Sequence, residues 1–328
     1  MTERRRGEFD LIAGVFAPLT DGDPRALSLT DDAAVLPQVE GMETVVTTDT
    51  MVAGVHFLEN EPPATIARRL LRVNLSDIAA MAAEPVGYFL NLTLSDVIDD
   101  RWLDAFGAGL KADQEQFGLN LLGGDTTRTP GPLTLSITLI GEAPLGTAVR
   151  RSGARAGDIV MVSGTIGDAS LGLAVLRNGR ASATGQNGYL TGRFQLPTPR
   201  LSLGVGLRGI ATAMADVSDG LVSDIEHICA ASALAARIDA ASIPLSDAAR
   251  KKIGSGEATL EEILTGGDDY ELVLTAAPGE ETDVRAAAAR AGVPVSVIGR
   301  METGSPEVTV TGADGAPLRF DRPGYRHF

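Results

Sequence analysis

Six short segments of this 328-residue chain each carry aspartate among glycines or hydroxyl residues, where a strand or helix would begin or end. They are TDDAAVL with Asp31 and Asp32, TTDT with Asp49, NLSD with Asp77, GGDTT with Asp125, DVSDG with Asp216 and Asp219, and GGDDYE with Asp268. A carboxylate held in a folded interior is costly unless a cation or a donor meets it. A fold for this chain must therefore gather these acids where partners reach them. So many oxygen donors suit several hard cations, and magnesium is usually held by one or two carboxylates together with substrate phosphates. Phosphate chemistry is the first expectation.

The charge balance narrows the partners. With 43 acidic residues against 28 basic ones and a net charge of -15, the chain lacks the basic face that nucleic acid requires. Cys229 is the single cysteine, which excludes an intrachain disulfide and a thiolate metal centre. Its neighbours Ile225 and Ile228 place it on the buried side of a helix. Glu8 and Asp10 interrupt the apolar run that follows TERRR, so the amino terminus does not read as a secretion signal. No stretch approaches the ~18 apolar residues of a membrane helix. A soluble, cytoplasmic chain is expected.

At about twice the commonest domain size, two domains are expected. Leu133, Leu135, Ile137 and Leu139 alternate with Thr134, Ser136 and Thr138, the period of a half-buried strand. Residues 44–48 and 86–94 read the same way. Between them, Ile66, Leu70, Val73, Asp77 and Met81 recur at helical spacing between flanking prolines, so Asp77 stands near an apolar stripe and needs a partner. Residues 141–158 are rich in glycine, proline and arginine, and the boundary is placed there, giving domains 1–145 and 146–328. Beyond it, strands are expected at DIVMVSG, ATAMAD, near Ile238, at 270–275 and at 295–299. Helices are expected at DASLGLAVLRNG, LVSDIEHICAAS, 248–252 and 283–291, and EVTVTGADGAPLRF resembles a hairpin. The fold class is α+β, an α/β domain followed by a second α/β domain.

Each motif has a bland alternative. Gly204, Gly206 and Gly209 have dinucleotide-loop spacing but follow a helical segment rather than a strand, which argues against that reading. No Gly-Lys dipeptide and no HRD loop occur, so any ATP binds by another scheme. TTDT surrounds Asp49 with three hydroxyls, and its alternative is a strand cap. In GGDTT, Gly123 and Gly124 let backbone amides approach a phosphate while Asp125 faces its metal, and a plain turn is the alternative. Asp216, Ser218 and Asp219 offer more than one helix cap needs. GGDDYE is either a ligand loop or a turn. Arg150 and Arg151 suit a phosphate or a solvated linker, while His56 defaults to a core histidine.

Taken in order, GEFDLIAG, DDAAVL, TTDTMVAGVHF, NLSDIAAM, GGDTT, RSGARAGD, DVSDGLVSD, GGDDYEL and the terminal GYRHF resemble the thiamine-monophosphate kinases, within the superfamily of the aminoimidazole ribonucleotide synthetases. The resemblance spans residues 7 to 328. It implies a two-domain aminoimidazole ribonucleotide synthetase-like fold and a homodimer whose amino-terminal sheets pair. It implies ATP and several magnesium ions in a cleft shared with the carboxy-terminal domain, and thiamine monophosphate as acceptor. Magnesium ligands then map to Asp32, Thr48, Asp49, Asp77, Asp125, Asp216 and Asp219, with Thr47 adjoining. ATP contacts map to Gly124, Asp125, Arg151 and Ser218, with Asp49, Asp125 and Arg151 acting in the transfer. Substrate contacts map to His56, Asp268 and Tyr325.

Three positions depart from the family pattern: Thr30 precedes Asp31 and Asp32 where glycine is usual, Asp268 replaces glutamate, and Arg322 stands where an aromatic is common. Other readings remain open within and beyond the superfamily: an enzyme phosphorylating an amide oxygen or selenide, or a non-catalytic nucleotide-binding scaffold.

Overall fold

The computed structural model describes residues 7–31, 33–180, 182, 184–312, 314–320, 324 and 325. Asp32, Arg322, His327 and Phe328 lie outside the described residues. The chain divides into two compact units, Met1–Ile78 with Glu84–Gly146, and Ala79–Ala83 with Thr147–Phe328.

In the first unit, α1 (Glu8–Leu11) is followed by irregular helical turns. Then come β1 (Met42–Val52), α2 (Pro63–Ala80), β2 (Glu84–Leu94), α3 (Asp100–Phe117), β3 (Asn120–Arg128) and β4 (Thr134–Pro144). The four strands form one sheet in the order β1-β4-β2-β3, so β1 and β3 are its edges. Alternation on β4 sets the layering: Leu135, Ile137 and Leu139 are fully buried while Ser136 and Thr138 are not. The apolar face meets the helices, and α2 is locked to α3 by Arg68 and Arg72, which donate to the buried Asp113 carboxylate at 2.8 and 2.6 Å. On the opposite face Val46 is 60% exposed and Thr48 and Thr50 are open.

The second unit contains β5 (Ile159–Ser163), α4 (Asp168–Arg177), α5 (Gly185–Gln195), α6 (Leu201–Gly206), β6 (Ala213–Asp216), α7 (Leu221–Ser232) and β7 (Ala235–Asp239). It continues with α8 (Asp247–Gly254), α9 (Leu260–Thr265), β8 (Leu272–Ala276), α10 (Glu281–Ala291), β9 (Val295–Glu302) and β10 (Val308–Thr311). The six strands run β10-β7-β9-β5-β8-β6. Successive residues of β5 feed two cores. Val160 and Val162 pack with Leu171, Ile225 and Ile263, while Ile159 and Met161 pack with Leu203, Val284 and Ala287. A strand covered on both faces reads as a continuous apolar run, which is why IVMV carries no alternation. Cys229 is buried in α7, as expected. Gly204 and Gly206 lie in α6, a helix, so the dinucleotide-loop spacing is coincidental. The expected terminal hairpin is present in short form: after β10 the chain folds back past Asp314 and Gly315, with an antiparallel bridge from Thr311 to Pro317 and the Gly312 and Leu318 amides donating to the Ala316 and Val310 carbonyls.

Candidate active site

The acids fall into three groups. The first joins β1 to α2. Strand alternation turns Thr47 and Asp49 to the helix-covered face, where Asp77 and Asn74 project from α2. The Thr47 hydroxyl donates to Asp77 Oδ2 at 2.5 Å, and the Asp49 amide donates to Asn74 Oδ1 at 3.1 Å. Burial, and then the neighbouring Asp77 charge, hold the Asp49 carboxyl well above the ordinary carboxylate range. Two partly buried carboxylates side by side are the donor set a divalent cation would relieve. Thr48 is on the other face, where its hydroxyl donates to the Ile137 carbonyl at 3.0 Å.

The second group lines a cavity of about 770 Å³ whose walls include Asp31, Phe89, Asn91, Gly123, Gly124 and Asp125. GGDTT is strand rather than turn: it lies inside β3, paired in parallel with β2. A side chain at Gly124 would fall on the Leu90 backbone, and its φ of 156° is one that other residues rarely adopt. Glycine there keeps the strand close-packed beside the cavity. Asp125 is exposed, and its Oδ1 accepts from the Thr126 amide at 2.9 Å.

One relationship within this sheet matters for function. Asp49 pairs across to Ile137, whose row continues through Leu90 to Gly124, next to Asp125. Three strand spacings of ~4.8 Å separate Asp49 from Asp125 by roughly 14 Å. Two oxygens on one magnesium are at most about 4.2 Å apart. Asp49 and Asp125 of one chain therefore do not share an ion.

The third group belongs to the second unit. Asp216 ends β6, buried, and the DVSDG turn follows it. The GGDDYE segment packs on that turn: the Asp268 and Tyr270 amides donate to the Ser218 and Val217 carbonyls, each at 2.8 Å. Gly267 sits against the Ser218 carbonyl, where no side chain would fit. Asp268 and Tyr270 both have positive φ, 72° and 50°, a conformation that costs a non-glycine residue of order 1 kcal/mol. Strain of this kind marks a loop held in place by its surroundings. The Tyr325 amide donates to the Asp219 carbonyl at 2.9 Å, bringing the chain end to the same turn. Arg151 is exposed, and its charge reaches the Asp224 carboxylate.

Several acids beside these predicted ones are structural. Asp269 accepts from the Gly167 and Ala169 amides at the start of α4, and burial pushes its carboxyl up to about 8. Glu271, fully buried, accepts from Arg193, Arg200 and Ser163. Asp224 was also absent from the expected set: its Oδ2 accepts from the amides of Ser218, Asp219 and Gly220. Its place three residues before His227, on the helix after DVSDG, was the available signal. His56 is not a core residue; it is half-buried in the turn after β1, where its Nδ1 accepts from the Val52 amide at 3.0 Å.

Residues 30–143 match the AIR synthase related protein N-terminal domain and residues 155–311 match the corresponding C-terminal domain. Fold and site thus define a two-domain protein of the AIR synthase related class. A thiamine-monophosphate kinase from Caulobacter vibrioides is 47% identical over 300 residues, covering 90% of this chain and 84% of that protein. The crystal structure of thiamine-monophosphate kinase from Stenotrophomonas maltophilia K279a superposes with a TM-score of 0.83 at 40% identity, over 93% of this chain and 98% of that one. A structure of AaThiL complexed with AMPPCP and TMP gives 0.79 at 29% identity, over 100% of both. The chain belongs to the thiamine-monophosphate kinase family.

Proposed function

We propose that this chain transfers the γ-phosphoryl group of ATP directly to thiamine monophosphate, forming thiamine diphosphate and ADP. What supports the reading most is the similarity to thiamine-monophosphate kinases over nearly the whole chain, with Gly124 and Asp125 of the expected set lining a cavity.

In this reading Thr47, Thr48, Asp49, Asp77, Asp125, Asp216 and Asp219, with Asp32 outside the described residues, hold several magnesium ions. When bound, the ions neutralise phosphate oxygens and keep them in line for displacement. Gly124, Asp125, Arg151 and Ser218 contact ATP. Asp268, His56 and Tyr325 contact thiamine monophosphate. A phosphate monoester has its second pKa near ~6, so the acceptor is largely a dianion at neutral pH and needs no strong general base. The chain's task is to hold two polyanions together. Gly123 and Gly124 allow close approach of backbone amides, and Arg151 adds a donor for developing charge.

We further propose a homodimer in the cytoplasm. Because β1 and β3 are the two edges of the first sheet, a second copy that pairs β1 with β3 supplies Asp125 to the Asp49 and Asp77 of its partner. Each site is then completed by two chains.

The test is to incubate the purified protein with ATP, magnesium and a panel of phosphate acceptors, and to identify the products by mass. Thiamine diphosphate formed in step with ADP is the expected result. Phosphorylation of another acceptor, with thiamine monophosphate untouched, refutes the assignment.

A further inference from the structure

Asp219, Asp224 and His227 each offer a ligand atom, and the three atoms lie within 4.8 Å of one another. Asp219 precedes α7, and Asp224 and His227 stand three residues apart on one face of that helix. Acidic clusters are common on a chain this negative, and closeness alone assigns nothing. The Asp224 carboxylate adds the second observation. It is completely buried, and its Oδ2 is fixed by three backbone amides, from Ser218, Asp219 and Gly220 at 3.0, 3.1 and 3.2 Å. Among the described residues its Oδ1 has no hydrogen-bond partner. A buried carboxylate oxygen with no donor is costly to keep unless something else meets it. The amide nest acts as a clamp that orients that oxygen, as outer partners orient ligands in metal sites.

We propose that Asp219, Asp224 and His227 form a binding site for a divalent transition-metal cation, one that shares Asp219 with the magnesium ligands above and adds an imidazole donor to them. An imidazole among the donors favours manganese, cobalt, nickel or zinc over magnesium, which prefers oxygen and water. Donors at about 2.1 Å from one ion are at most about 4.2 Å apart, so only a small closing movement is required. His227 is exposed and Asp219 partly so. The bound ion joins the turn that carries Asp216 and Ser218 to the helix behind it. The inference rests on the reading above only in sharing Asp219.

Cobalt(II) is the direct probe, because its visible absorption reports coordination without any turnover. Titrated into the nucleotide-free full chain, it should give a saturable band at one ion per chain that survives about a hundredfold excess of magnesium. His227→Ala, a surface change on a formed helix, should weaken binding at least about tenfold, and Asp224→Asn should do the same. If Asp224→Asn fails to fold, the histidine variant decides. The proposal is overturned if no band appears, if magnesium displaces cobalt at equal concentration, or if His227→Ala binds like the parent. Magnesium-dependent turnover measured in parallel separates the two readings: its absence beside intact cobalt binding counts against the kinase assignment alone.

Discussion

Thr47 on β1 donates its hydroxyl proton to the Asp77 carboxylate on α2 across 2.5 Å, tying the strand that bears Asp49 to the helix that bears the second acid. Thr47→Val removes that donor from a carboxylate facing the interior, at a cost of about 1–3 kcal/mol. The variant should melt earlier and need more magnesium for half-maximal ADP release, whereas Thr47→Ser should behave like the parent. Equal magnesium titrations for the two variants would remove the hydroxyl from the account.

Asp49 also links stability to pH. Its carboxyl is held above the ordinary value of 3.8, so the folded chain keeps a proton there that the unfolded chain releases near pH 4. With no divalent cation present, this group makes stability fall as pH rises from about 4 through the raised folded value. A cation displaces the proton, so the gain in Tm on adding magnesium should grow over the same interval. Thermal unfolding at about pH 5 and about pH 8, with magnesium and with chelator, measures it. Identical gains at both pH values contradict the linkage.

Glu271 is the anion of a buried cluster, with Arg200 at 2.5 Å and Arg193 at 2.7 Å. Glu271→Gln strands two mostly buried guanidiniums without a counter-charge, and should cost about 3–5 kcal/mol in urea unfolding. A loss below about 1 kcal/mol would show that solvent already neutralises the arginines.

Two glycines should respond in opposite directions. Gly124→Ala drives a methyl group into the Leu90 backbone and should destabilise by at least about 2 kcal/mol. Gly192, inside α5, has open space around it and ordinary φ, so Gly192→Ala should stabilise by about 0.5–1 kcal/mol. Urea midpoints of the two variants check both signs.

The contrast between Thr47 and Glu271 shows what the sequence exposes. Alternation in β4 and the helical stripe of α2 are local, so they mark the elements that place Asp49 and Asp77. Glu271 and Asp269 look in sequence like further ligands of the GGDDYE loop. Their partners, Arg193, Arg200 and the start of α4, lie 71 to 102 residues away, and only tertiary packing reveals them as structural. The alternative reading of GGDTT as a plain turn rests on the low strand propensity of its glycines and acid, yet pairing with β2 keeps it extended. Helix α3 is not among the expected elements, although Leu103, Phe106 and Leu110 stand at helical spacing and are buried. The separation of Asp49 from Asp125 is invisible without the strand order.

That separation gives the most direct test. Asp49→Asn and Asp125→Asn should each lower turnover at least about a hundredfold when assayed alone. If two chains complete each site, mixing the variants under conditions that let subunits exchange produces hybrid dimers with one intact site. Activity should then recover to about a quarter of the parental value. Activity that stays at the level of the separate variants, in dimers shown to have exchanged, would contradict the shared site.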